Sequence, residues 1–117
     1  TVLTSPRLVS LRVDESLYFA NARALEDCVN AAAAHPEVEH IVLQCSAVNL
    51  IDASALESLE AVHQRLQQAH IRLHLSEVKG PVMDRLKNTE FIQHLSGQVF
   101  LTHYQAIASL TPEVLQG

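Results

Sequence analysis

The stretch HIVLQCSAVNLIDASALESLEAVHQRLQQAHIRLHLS, His40 to Ser76, places an alternating segment, a long repeat of threes and fours and a second alternating segment in a row. In HIVLQC, 40–45, Ile41, Leu43 and Cys45 fall on one side and His40, Val42 and Gln44 on the other, the two-residue period of a strand. Leu56, Leu59, Val62, His63, Leu66 and Ala69 then recur three and four apart, and this spacing predicts a helix from about Ala53 to His70. IRLHLS, 71–76, alternates again, with Ile71, Leu73 and Leu75 opposite Arg72, His74 and Ser76. Strand, helix and strand in this order make a βαβ unit, whose two strands run parallel.

The same grammar extends in both directions. LVSLRV, 8–13, alternates Val9, Leu11 and Val13 against Leu8, Ser10 and Arg12, and DES, 14–16, reads as a turn. LYFA, 17–20, reads as a short strand or an extended approach to Asn21, which can cap a helix running to about Ala34. The apolar stripe expected there is Ala22, Leu25, Cys28, Val29 and Ala32, and His35-Pro36 ends the helix because proline disfavours helix in the residue before it. Beyond the central unit, Gly80-Pro81 opens a helix with Val82 and Leu86 facing inward. QVFL, 98–101, is a last strand, and Thr102 with Gln105 forms a capping box for a helix over His103 to Leu110.

Strands that alternate with helices define an α/β domain with a mostly parallel sheet of four to five strands. Parallel strands covered on both faces read as unbroken apolar runs. These strands keep polar residues on one side, so helices are expected mainly on one face. Right-handed crossovers give that layout when each strand is added on the same side of the last, a right-handed β/α superhelix with no reversal of strand order. Such an order lacks the crevice where open α/β sheets bind cofactors.

Composition limits the function. At 117 residues the chain fits one domain with its own core, and with 4% aromatic residues and no Trp that core must be built from Leu, Val, Ile and Ala. A net charge of −5 gives no broad attraction for nucleic acid or anionic lipid, so neither is an expected partner. Cys28 and Cys45 both fall in apolar positions and are expected to be buried, reduced thiols. No apolar run approaches the roughly 18 residues of a membrane span.

The candidate chemistry is narrow. Seven histidines suggest a metal, but His63 and His70 stand seven apart and no HExxH or Cys/His zinc pattern occurs, so no metal site is expected. With 3 Gly and no GxGxxG or Walker-type loop, no phosphate-cradling loop or cofactor is expected. Glu57 and Glu60 read as solvent-facing residues of the long helix. What survives is the helix start. Asp52 there can accept the N–H of Ser54 or Ala55 as a cap, and a phosphate on Ser54 would meet free N–H groups at the positive end of the helix dipole. Asn49, Ala53 and Ala55 flank this junction as candidate partner contacts.

Ile41 to Leu86, IVLQCSAVNLIDASALESLEAVHQRLQQAHIRLHLSEVKGPVMDRL, resembles the STAS domain of sulfate permease (SulP) anion transporters and bacterial anti-sigma-factor antagonists. VDESLYFANA, 13–22, and EVKGPVMDRL, 77–86, resemble the transporter branch in particular, whereas the D-x-S-x-L segment at 52–56 is common to both branches. The resemblance implies a β/α domain without catalytic residues or enzymatic activity that works by contacting other proteins. In the antagonist branch a D-S-S-G motif is the switch, and a kinase phosphorylates its second serine. Ser54 stands at that serine and Asp52 at the aspartate, while Ala53 replaces the first serine and Ala55 the glycine, where a Cβ would crowd an approaching partner backbone.

The reading implied is a regulatory and interaction domain, residues 1–117, excised from the cytosolic C-terminal end of a SulP-type transporter. It would lie at the cytoplasmic face of the membrane. Its implied partners are the transmembrane domain of a dimeric parent transporter and a cytosolic regulatory protein. A free-standing antagonist switched by phosphorylation is the alternative.

Overall fold

Alternation becomes strand, and the repeat of threes and fours becomes helix, across a computed structural model that describes residues 7–13 and 19–110. In chain order the elements are β1 (Leu8–Arg12), α1 (Phe19–Ala33), β2 (His40–Gln44), α2 (Ala53–Gln68), β3 (Arg72–Ser76), α3 (Gly80–Leu86), α4 (Glu90–Gln93), β4 (Val99–Phe100) and α5 (His103–Leu110). The strands lie in the order β1-β2-β3-β4. Every pairing is parallel, with Leu8 opposite His40, His40 opposite Arg72 and Leu75 opposite Val99. Strand order thus follows chain order without a reversal.

The main core lies between one sheet face and the helices α1 to α4. Ile41, Leu43, Leu73 and Leu75 meet Val29, Leu59, Val62, Leu66, Val82, Leu86 and Phe91 there. Burying side chains of this size gives on the order of 1.5–3 kcal/mol each. The opposite face carries a smaller cluster in which Leu8, Val42 and Phe100 are covered by Ala106 and Ile107 of α5. Helices therefore lie mainly on one face, but α5 closes part of the other. That partial cover has a local cause: His74 and Ser76, read from their alternation as the polar side of β3, are buried because their polar atoms find partners under α5 and in the β3–β4 turn region.

Several expectations need revision. Phe19 and Ala20 are helical, so α1 starts before Asn21 and does not use it as its cap. Four apolar residues are too few to separate the two periods. Leu17, Tyr18, the turn at 14–16 and the side chain of Ala22 lie outside the described residues. Cys28 is exposed, because the inward stripe of α1 narrows to Val29 and Ala32 with Leu25 at its margin, while Cys45 is buried and its thiol pushed up to about 12 by that burial. α4 was not foreseen; its four residues are capped by Thr89, whose Oγ1 accepts the Ile92 N–H at 3.3 Å. The capping box is present, with Thr102 N–H reaching Gln105 Oε1 at 3.4 Å and Gln105 N–H reaching Thr102 Oγ1 at 3.1 Å.

α2 ends two residues before His70. His70 takes the left-handed conformation, φ 62, and Ile71 N–H bonds Leu66 O at 2.9 Å while His70 N–H bonds Gln67 O at 3.1 Å. These two bonds are the Schellman closure, which turns the chain sharply from α2 into β3. Ala69 is consequently exposed and drops out of the stripe, whose first inward residue is Ala55.

Candidate functional site

β2 delivers the chain to the carboxyl edge of the sheet, and the segment from Cys45 to Asp52 crosses that edge. Val48 and Ile51 turn into the core, leaving Asn49 and Leu50 outside. Ile51 fixes the residue before the cap. Asp52 is extended, φ −97 and ψ 175, and its Oδ1 accepts the Ala55 N–H at 2.7 Å while its carbonyl accepts the Leu56 N–H at 3.0 Å. The N–H groups of Ala53 and Ser54 have no carbonyl one turn earlier to bond. Ser54 is half-buried, and its hydroxyl has no hydrogen-bond partner among the described residues.

Asn49 Oδ1 accepts a hydrogen bond from Lys79 Nζ at 2.5 Å, which ties this segment to the loop before α3. Lys79 was not picked out by pattern reading. The signal that finds it is topological, since adjacent parallel strands set the β2–α2 and β3–α3 connections side by side at one edge. Asn49, Ala53 and Asp52 are accessible there. Ala55 is not: it is 0% exposed and packs in the core. Its expected role as a partner contact is corrected, because position 55 lies one turn before Leu59 on the inward face and its Cβ points away from any approaching chain.

The site therefore combines a helix N-terminus, a carboxylate committed to capping, an accessible hydroxyl and a lysine held by an asparagine. Such a surface offers hydrogen bonds and one modifiable oxygen. Among the described residues no group of three His, Cys, Asp or Glu could hold a metal ion.

Away from this edge, His40, His74 and His103 hold the sheet and α5 together. His74 Nδ1 accepts the Gln98 N–H at 3.0 Å, so its proton sits on Nε2, which reaches His40 Nδ1 at 3.1 Å. Burial, then His40 and Arg72, push His74 down to about 4. His40 is also lowered, chiefly by burial. His103 lies between Ser10 Oγ of β1 at 2.8 Å and Ser76 Oγ of β3 at 3.1 Å, and its N–H reaches Glu77 Oε2 at 3.0 Å. These contacts pin the first turn of α5 to the sheet.

A parallel sheet wound in chain order, with a capped serine-bearing helix start at its carboxyl edge, defines the α/β class of this domain. The chain belongs to the STAS domain family, whose model matches residues 1–106. Sulfate transporter 1.3 of Arabidopsis thaliana is 27% identical over 120 residues, a span of 93% of this chain. This chain covers 18% of the length of that relative, so it corresponds to a small part of it. Among solved structures, a sulfate transporter family protein from Wolinella succinogenes matches with a TM-score of 0.82 at 19% identity, covering 100% of this chain and 93% of the other. The anti-sigma factor antagonist SpoIIAA in its unphosphorylated form matches with a TM-score of 0.68 at 15% identity, covering 92% of each chain. Both structures share the fold. Among the described residues no helix is long and apolar enough to cross a membrane.

Proposed function

We propose that this chain is a non-catalytic regulatory domain of a SulP-type anion transporter, working at the cytoplasmic face by docking its carboxyl edge on the transmembrane part of a dimeric parent or on a cytosolic regulator. The observation that carries the reading is that the curated relatives are sulfate transporters matched over nearly the whole of this chain and only 18% of their own length. The docking residues are Asn49, Asp52, Ala53 and Ser54, with Lys79 beside them. Ser54 is the oxygen through which a phosphate would act, because it sits where the helix dipole favours negative charge.

The test is anion uptake by the full-length protein with Ser54→Ala or Ser54→Glu, matched for expression. Neither change should move stability by more than about 0.5 kcal/mol, since the hydroxyl satisfies no partner and Asp52 offsets part of the dipole's gain from a second carboxylate. Uptake should change more with Glu than with Ala, because desolvating a carboxylate in an interface is costly. Equal uptake in all three proteins would remove Ser54 from the docking surface.

The alternative, a free-standing partner switch, is supported by the likeness to the anti-sigma antagonist and by the Ser54 hydroxyl, which has no partner among the described residues. A kinase-type anti-sigma factor that adds one phosphate to Ser54, in a gene with no membrane spans, would establish it instead.

A further inference from the structure

A cavity of about 350 Å³ opens between α2 and α4, lined by Glu60, His63, Gln64, Gln67, Glu90, Phe91 and His94. It lies apart from the Ser54 junction: His63 is nine helical steps beyond Ser54 on α2, roughly 13 Å along the helix axis. Its size is at the low end of ligand sites, about 300–1,000 Å³, suited to one side chain with its peptide link rather than a large cofactor.

The chemistry of the lining is specific. Glu60 and Glu90 have no ion-pair partner among the described residues, in a chain of net charge −5. His63 is 5% exposed, and its Nε2 accepts the Ser96 N–H at 2.9 Å, so the neutral ring carries its proton on Nδ1. Nδ1 has no partner among the described residues, yet no buried side-chain nitrogen or oxygen there is unsatisfied. The Nδ1–H must therefore reach the space the ring lines. Burial, and then the neighbouring His94, hold His63 below its ordinary range, so the ring stays neutral and does not repel a cation. Phe91, edge-on to His63 with centroids 5.8 Å apart, supplies an aromatic wall.

Two carboxylates without an ion-pair partner among the described residues call for a cation, and an N–H donor of an otherwise buried ring, open to the cavity, calls for an acceptor attached to it. A guanidinium matches the first, because its fork of donors pairs with carboxylates and its flat face tolerates aromatic neighbours. A peptide carbonyl matches the second. We propose that the α2–α4 cavity receives an arginine residue of a partner polypeptide, with Glu60 and Glu90 on the guanidinium and the His63 N–H on a backbone carbonyl. This site does not depend on the Ser54 reading, and Ser54→Glu should bind the same ligand unchanged.

The test titrates N-acetyl-L-arginine amide into the isotopically labelled 117-residue chain and follows backbone amide shifts. Expected are saturable shifts centred on residues 60–67 and 90–94. The Glu60→Gln/Glu90→Gln double variant, near-isosteric at a half-buried and an exposed position, should bind about tenfold or more weakly with its spectrum otherwise native. N-acetyl-L-lysine amide and 4-aminobutylguanidine, which lack the fork and the carbonyl respectively, should each bind more weakly. Non-saturating shifts, or affinity unchanged in the double variant, would overturn the site. Equal binding of 4-aminobutylguanidine would overturn the assignment to a polypeptide.

Discussion

Gly97 marks the tightest point of the chain, since a Cβ there would overlap the Leu73 carbonyl and the His74 ring. Both are backbone or buried ring atoms that cannot swing aside. Gly97→Ala should therefore cost about 1–3 kcal/mol of overpacking, read as a lower denaturant midpoint, and an unchanged midpoint would mean that the turn before β4 gives way freely. Asp52 belongs to the same scale. Removing its carboxylate by Asp52→Ala leaves the Ala55 N–H without its acceptor and should lower stability by about 1 kcal/mol in the same measurement. These two residues differ in how they could be read. An aspartate before an apolar periodic run announces a cap, and Asp52 with Ser54 was legible for that reason. Gly97 and Lys79 owe their importance to segments distant in sequence, Leu73 in one case and Asn49 in the other, and nothing in their own neighbourhoods signals it.

At the scale of the element, a long period made α2 readable to within two residues of its end, a capping box placed α5, and Gly80-Pro81 marked the start of α3. Shorter stretches were not so readable. α4 has four residues and no periodicity to count, while LYFA, 17–20, whose last two residues begin α1, reads as a short strand or an extended approach because its aromatic residues favour strands. The inward face of α2 was readable in its middle but not at its ends, where Ala55 enters the core and Ala69 leaves it at the Schellman turn. Leu59 is the stable centre of that stripe, 3% exposed and packed in the main core. Leu59→Ala should cost about 2–5 kcal/mol through lost burial and the cavity left behind. A loss below 1 kcal/mol in equilibrium denaturation would place the α2 stripe outside the core.

For the molecule as a whole, three neutral histidines set the response to acid. His74 is held near 4, and His40 and His63 are lowered in the same direction, in each case by burial first. As pH falls below about 6.5 the unfolded chain takes up these protons before the folded one does. Stability is thus complete above that pH and declines as pH falls towards 4, by up to about 1.4 kcal/mol per pH unit for each histidine that stays neutral. The urea midpoint should fall between pH 7 and pH 5, a window above most carboxylate titration, and a flat profile there would contradict the neutral His40–His74 pair. The order of the sheet has a different kind of consequence, for how the chain is made. Residue 8 meets 40, 40 meets 72 and 75 meets 99, so each strand pairs with the one synthesised just before it. No pairing in the described sheet closes a loop much longer than its neighbours, and closure entropy grows only slowly with length. A nascent chain leaving the ribosome can add one strand and one helix at a time onto a finished edge, without waiting for its last residues.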